Sequence, residues 1–285
     1  MTLRFAYNTN GAANHRLDDA LVMIAEAGYD GVALTLDHHH LDPYAPDLAG
    51  RAGALARRLQ ELGLGAVIET GARYLLDPRA KHEPTLVSPE PEGRERRLDF
   101  LYRCVEVAEI LEAEAVSFWA GVPMEGVDRD EARRWLLEGV AKVAERARSQ
   151  GVVAALEPEP GMLVETLDDY VTVAREVPGI KLALDTGHCI VTGERDPAEA
   201  VHEFAGSVGT VSIEDMRRGV HEHLPFGEGE MDVPAVLRAL EEIGFGGLVC
   251  VELSRESPRA HAAIPKALNF LREATSKSKS VRADG

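Results

Sequence analysis

Eight short β-rich runs alternate with eight amphipathic helical stretches along this chain, and that alternation restricts the fold more than any other feature. The β runs lie at 3–8, 31–37, 65–70, 115–120, 152–157, 181–185, 209–215 and 247–253. Helical periodicity fills 17–28, 46–62, 93–113, 128–149, 166–177, 196–205, 232–243 and 258–274. Runs such as VVAALE and the Ile180, Leu182, Ala183 and Leu184 of IKLALD are apolar, as buried strands are. Repetition of strand and helix builds a parallel sheet, and eight units in one chain favour a closed (β/α)8 barrel. A length of 285 residues fits one such barrel, and no compositional break marks a linker. The expected organisation is a single α/β domain over 1–275 with a polar, disordered tail, SKSKSVRADG, at 276–285. One long proline-containing connection, 71–92, reads as a functional loop, because unstructured connections of that length are uncommon in compact domains.

A barrel of this kind gathers the C-terminal ends of all its strands on one face, where its chemistry is done. Asn8, Asp37, Glu69, Trp119, Glu157, Asp185, the 212–223 segment and Glu252 are expected there. The most informative stretch is IKLALDTGHCI, in which Asp185 and His188 stand three residues apart just past an apolar strand. Such a turn could simply cap the next segment through Asp185 and leave His188 in water. Two further strand runs also end in carboxylates, however: Glu157 in VVAALEPEPG and Glu252 in GLVCVELS. Three converging carboxylates repel unless protons or a cation neutralise them, and a divalent metal is favoured over shared protons.

The segment 211–232 holds His221 and His223, which are expected to face opposite ways in extended backbone, so that a turn is needed to bring both to one ion. His188 offers a third imidazole within reach. Asp232 is placed to cap the following helix. The consecutive His38, His39 and His40 cannot all point at one ion and read as a polar loop, with His38 or His39 at the pocket mouth. His82, in the long loop, reads weakly as part of a lid; Trp119 reads as rim packing ahead of a substrate platform; Cys189 reads as a small buried residue.

Composition excludes several function classes. A net charge of −17 repels phosphate backbones, so nucleic acid is not an expected partner. Three widely spaced cysteines, Cys104, Cys189 and Cys250, give neither a disulfide framework nor a cysteine zinc motif. No apolar run reaches membrane-spanning length, and a soluble cytoplasmic protein is the default expectation.

These residues together resemble the xylose-isomerase-like TIM barrel superfamily of sugar isomerases and epimerases, which also contains a three-zinc apurinic endonuclease. In that family's ketose 3-epimerases one metal is held by Glu, Asp, His and Glu on the fifth to eighth strands. Glu157, Asp185 and Glu252 fall on three of those positions. LDTGH matches the family's Asp-x-x-His, which implies a substrate-contacting or zinc-binding role for His188. Arg218 falls where the epimerases carry a substrate-binding Arg, and HLPFGEGEMD aligns His221 and His223 with a zinc-site pair of the endonuclease. The chain departs from the pattern at the seventh strand, where Ser212 replaces the ligand His, a poor exchange on a transition metal. His188 or His223 completing the sphere, a harder ion bound through oxygen, or lost metal binding all remain open. The endonuclease's other zinc-binding histidines have no counterpart at Glu69 or Trp119.

The resemblance implies a metal-dependent isomerase or epimerase (EC 5 class) acting on a sugar, sugar phosphate or cyclic polyol through an enediolate. Glu157 and Glu252 would be the catalytic bases, and His188, Arg218 and Trp119 would contact substrate. The metal set would be drawn from Glu157, Asp185, Glu252, His223, His221 and His188, with Mn, Zn or Mg as the ion. A phosphoesterase of the endonuclease type and a catalytically weakened binding barrel are the alternatives. The expected partner is a small carbohydrate-like molecule, with no nucleic acid and no membrane, and a homodimer is compatible.

Overall fold

A computed structural model describes residues 2–283, with side chains to residue 276. The strands are β1 (Arg4–Asn8), β2 (Gly31–Thr35), β3 (Gly65–Glu69), β4 (Val116–Trp119), β5 (Ala154–Glu157), β6 (Lys181–Asp185), β7 (Val208–Ile213), β8 (Asp215–Arg217), β9 (Val220–Leu224) and β10 (Leu248–Val251). Eight of them close a parallel barrel in the order β1-β10-β7-β6-β5-β4-β3-β2. The ring is sealed where β1 meets β10, with Arg4 opposite Leu248 and Tyr7 opposite Val251. β8 and β9 form a separate antiparallel hairpin. The (β/α)8 barrel read from the alternation is the observed fold.

The helices are α1 (Leu17–Ala27), α2 (Leu48–Leu62), α3 (Pro91–Leu111), α4 (Arg129–Ser149), α5 (Leu167–Glu176), α6 (Thr186–Thr192), α7 (Pro197–Glu203), α8 (Val233–Glu242) and α9 (Ala260–Ala283). Their starts follow from local chemistry. Thr166 and Asp169 make a reciprocal capping box on α5, Asp128 caps α4, and Asp232 accepts from Ala235 N at the start of α8, as its position suggested. Each such cap contributes about 1 kcal/mol. Proline occupies the first turn of α3, α7 and α8, where its missing N–H costs no helical bond.

The main core lies between the strands and the helix ring, with Tyr7, Phe100, Phe118, Leu136 and Leu182 among its fully buried members. Inside the barrel a second, small cluster joins Ala6, Ala33, Val67, Ala115, Leu248 and Cys250. Three of its members, Ala33, Val67 and Cys250, also line the cavity above. The further inward positions Ser117, Thr210 and Ser212 are small, so the barrel interior stays open beneath the strand ends.

Three features differ from the sequence expectation. The residues after Asp185 form a short helix, α6, where a turn was expected. The 215–224 stretch is a hairpin turning at Arg218-Gly219, with Gly219 at a φ of 71°. The tail expected at 276–285 continues α9 as backbone helix to Ala283, and residues 284–285 lie outside the described residues. Near this end Thr275 donates to the Leu271 carbonyl and Ser276 to the Arg272 carbonyl.

Candidate active site

A cavity of about 310 Å³ opens at the C-terminal ends of the strands, a size suited to a small metabolite. Its acidic wall comes from β3, β5 and the segments that follow β5 and β10, through Glu69, Glu157, Glu159 and Glu252. Strand register sets the neighbours on this face. Trp119 stands opposite Glu157, Asp185 opposite Ser212, and Thr35 opposite Glu69.

Asp185 organises the site through both of its oxygens. Oδ1 accepts from His188 N at 3.0 Å and so caps α6, which fixes His188 on the first turn facing inward. Oδ2 is buried without an N–H partner and lies 3.6 Å from His188 Nε2. The capping reading and the site reading of Asp185 are therefore both true, one for each oxygen. The other ring nitrogen of His188, Nδ1, lies 2.9 Å from the Pro158 carbonyl. A carbonyl only accepts, so Nδ1 carries the hydrogen and Nε2 is turned to the cavity side. From there Nε2 meets His221 Nε2 at 3.1 Å and Glu159 Oε2 at 3.8 Å.

Two overlapping groups of potential ligands result, each with its donor atoms within 4.8 Å of one another: Glu157, Asp185 and His188, and Glu159, His188 and His221. His188 belongs to both. The donor chemistry fits a divalent cation: carboxylates with one or two imidazoles suit zinc or manganese, and Asp185 Oδ2 accepts no N–H, the Asp185 carboxyl otherwise meeting the Glu214 carboxyl.

The electrostatics are those of crowded buried acids. Burial, followed by Glu159 and Asp185, pushes Glu157 well above the ordinary carboxylate range. Burial raises Glu159 to about 7, opposed by His188. Glu69 also rises to about 7, through burial and then Glu252. Burial works to raise Asp185, but the His188 and His223 imidazoles outweigh it and hold this carboxyl below its usual value. His188 in turn is raised, since Asp185 and Glu159 overcome the cost of burying its charge. Burial lowers His221 to about 4, with His188 and His223 adding to the effect. Beneath the site Glu214 is fully buried with neither oxygen accepting from an N–H or hydroxyl, and burial with Asp185 beside it raises it well above the carboxylate range. Gly187 is what lets Glu214 come so close, because a Cβ there would overlap the Glu214 carboxylate.

The expected residues divide as follows. Glu157, Asp185, His188 and His221 are brought together as potential ligand donors. His223 and Glu252 line the cavity but belong to neither ligand group; His223 Nδ1 faces Glu214 Oε1 at 3.8 Å, and Glu252 Oε1 accepts from Asn10 Nδ2 at 2.8 Å. Trp119 lines the cavity and is held from behind by Arg97, whose guanidinium carbon lies 4.2 Å over the ring, with His82 edge-on at 5.4 Å. Arg218 is a correction: it sits on the exposed hairpin turn, donates to the Gly193 carbonyl at 3.2 Å, and is absent from the cavity lining. The tight two-residue turn aims it away from the cavity. The His221–His223 expectation is also corrected. Residues two apart on a strand share a face, and on β9 both imidazoles line the cavity with ring centroids 5.5 Å apart. The histidines at 38–40 stay outside the lining, although His39 Nδ1 and His38 Nε2 lie 3.1 Å apart and Asp37, His38 and His39 form a third ligand-like group.

Sequence reasoning missed Glu159, Asn10, Arg73, Lys81 and Arg255 in the lining, and Glu214 below it. Glu159 was legible, since it stands two residues past Glu157 in EPEPG. Arg73 and Lys81 come from the long loop read as functional.

Comparison with known proteins bears on the fold and the family. The model of the xylose isomerase-like TIM barrel family matches residues 21–274. The chain is 28% identical to L-ribulose 3-epimerase of Mesorhizobium japonicum over 82% of this chain and 74% of the relative. It is 26% identical to 2-oxo-tetronate isomerase of Cupriavidus necator over 87% and 92%, and 24% identical to L-ribulose-5-phosphate 3-epimerase UlaE of Shigella flexneri over 79% and 81%. Among solved structures an L-ribulose 3-epimerase superposes with a TM-score of 0.79 at 22% identity, covering 99% of this chain and 97% of the other. No helix among the described residues is long and apolar enough to cross a membrane. The chain belongs to the xylose isomerase-like TIM barrel family, and the relatives it matches are sugar epimerases and isomerases.

Proposed function

We propose that this chain is a metal-dependent isomerase or epimerase of a keto-sugar or keto-sugar acid, working by proton transfer at the carbon beside the carbonyl. The observation that carries the proposal is the convergence of Glu157, Asp185 and His188, with Asp185 buried behind the wall of a cavity that Glu157, His188 and a separate carboxylate, Glu252, line. A divalent cation held by Glu157, Asp185 and His188 would polarise the carbonyl and stabilise the enediolate. Glu252 is the base: Asn10 Nδ2 orients it at 2.8 Å, and it stands apart from the ligand cluster. Glu157, at the end of β5, supplies or receives the second proton. β5 and β10 are separated by β6 and β7 in the ring, so the two carboxylates approach a bound sugar from different sides. Return of the proton to the opposite face of the same carbon gives epimerisation; return to the neighbouring carbon gives isomerisation.

Trp119, His82 and Met162 supply the less acidic wall against which a sugar ring or chain would lie. Ser212 stands opposite Asp185, and imidazoles reach the ligand cluster instead from α6 and β9 through His188 and His221. The names of the relatives, an L-ribulose 3-epimerase and a 2-oxo-tetronate isomerase, support both substrate classes. The test is turnover by manganese- or zinc-loaded protein of L-ribulose and 2-oxo-tetronate, followed by carbon NMR. Formation of an epimer or isomer with either compound supports the reading, and recovery of both unchanged speaks against it.

A further inference from the structure

The acidic site carries cations that the proton-transfer chemistry does not use. Three line the cavity: Arg73, Lys81 and Arg255. Arg255 is committed to an ion pair with Glu222. Arg73 and Lys81 make no ion pair or side-chain hydrogen bond among the described residues. In a chain with 48 acidic against 31 basic residues, two uncommitted cations in a carboxylate-rich cavity call for an anion.

The competing reading is that Arg73 merely offsets Glu69. The hydrogen bonds of Glu69 argue otherwise. Its Oε2 accepts from Thr35 Oγ1 at 2.6 Å and its Oε1 from the Gly71 N–H, so the Arg73 guanidinium keeps its donors. The loop also fixes where Arg73 sits. Ala72, Arg73 and His82 have φ values of 55°, 34° and 69°, in the region that non-glycine residues avoid. His82 N donates to the Arg73 carbonyl at 2.6 Å, and His82 Nδ1 lies 2.6 Å from the Gly71 carbonyl. Strain held this tightly at a cavity wall is characteristic of a binding position.

We propose that the substrate carries an anionic group, carboxylate or phosphate, which Arg73 and Lys81 seat on the β3 side of the cavity. Glu157 and Asp185 end β5 and β6, two and three strands further round the ring, so the anionic end lies away from the reacting carbons. A guanidinium matches either oxyanion with two parallel hydrogen bonds, and the Lys81 ammonium adds a point charge. This assignment rests on the isomerase or epimerase reading of the same cavity.

The experiment compares metal-loaded wild type with Arg73→Gln, Arg73→Lys and Lys81→Gln. The probes are L-ribulose, L-ribulose 5-phosphate and 2-oxo-tetronate, with circular dichroism confirming the fold of each variant. The expected result is a preference for one anionic compound over L-ribulose, with the phosphate and carboxylate arms showing which. Arg73→Gln lowers that preference about tenfold or more, the loss of one charge-assisted bidentate contact, chiefly through KM, and Arg73→Lys restores part of it. Equal turnover of neutral and anionic sugars, unmoved in ratio by Arg73→Gln, overturns the anion seat while leaving the isomerase reading intact. If none of the three turns over, calorimetry with the two anionic compounds decides: binding weakened by Arg73→Gln supports the seat, and binding unchanged or absent overturns it.

Discussion

Replacing His188 by alanine removes the one side chain common to both ligand groups. Its Nε2 is 3.1 Å from His221 Nε2, 3.6 Å from Asp185 Oδ2 and 3.8 Å from Glu159 Oε2, so no single remaining nitrogen covers both groups. Changes behind a metal ligand typically cost about 10–100-fold in affinity, and loss of the ligand itself costs more. Metal at about 100 times its Kd stabilises wild type by about 2.7 kcal/mol. For a chain of 285 residues that is a rise in Tm of about 4–5 °C. A loss of more than 100-fold in affinity at the same metal concentration reduces the rise to about 1 °C or less. The assay is thermal unfolding of chelator-treated protein with and without manganese or zinc at pH 8. Each variant is compared with its own metal-free form, because His188→Ala also leaves Asp185 and Glu159 without their imidazole. His223→Ala is the control from the same cavity, and it keeps most of the rise because His223 stands outside both ligand groups. A full rise in His188→Ala, or its disappearance in His223→Ala, would refute the assignment of His188 as the shared ligand.

Three further outcomes follow from the same geometry. Glu252→Gln keeps the hydrogen bond from Asn10 only by amide reorientation but removes the base, so kcat should fall by about 10²-fold or more with Tm almost unchanged, read by turnover and calorimetry. The metal-free protein should lose stability as pH rises: Glu69 and Glu159 titrate near 7 when folded against 4.5 ordinarily, so their contribution is complete below 4.5 and gone above about 7. Each shift is worth up to about 3 kcal/mol at neutral pH, and a metal-free Tm that climbs between pH 5 and pH 8 would contradict it. Ser212→His should add little metal affinity, since imidazoles from His188 and His221 already reach the site, and a large gain by titration calorimetry would show that the sphere lacks one.

The barrel was legible because each of its eight units repeats the same two periods, and because Glu157, Asp185 and Glu252 each close an apolar run. What was not legible depends on tertiary contacts. The Thr186–Thr192 segment has a glycine and four β-branched residues, a weak helix former by propensity. It becomes helical because Asp185 caps it and because Thr186, Gly187, His188 and Cys189 are buried. The 215–224 hairpin lacks an apolar face, so its charged residues read as loop, and only the two-residue turn at Arg218-Gly219 marks it. That turn decides two roles at once, carrying Arg218 out of the cavity and turning His221 and His223 into it. Arg73 and Lys81 were hidden for a different reason. Their loop has no periodic structure, and its positive φ angles are set by contacts from Gly71 and His82 that no local pattern encodes.

The central claim is proton transfer at a sugar carbon by a metal-bearing carboxylate site, and solvent exchange tests it most directly. Manganese-loaded protein is incubated in deuterium oxide with L-ribulose and with 2-oxo-tetronate, and the carbon beside the carbonyl is followed by proton NMR. The account predicts deuterium at that carbon in the product, dependent on added metal and abolished by Glu252→Gln. Product formed with no solvent deuterium, or exchange that proceeds equally in the chelator-treated protein, would contradict it.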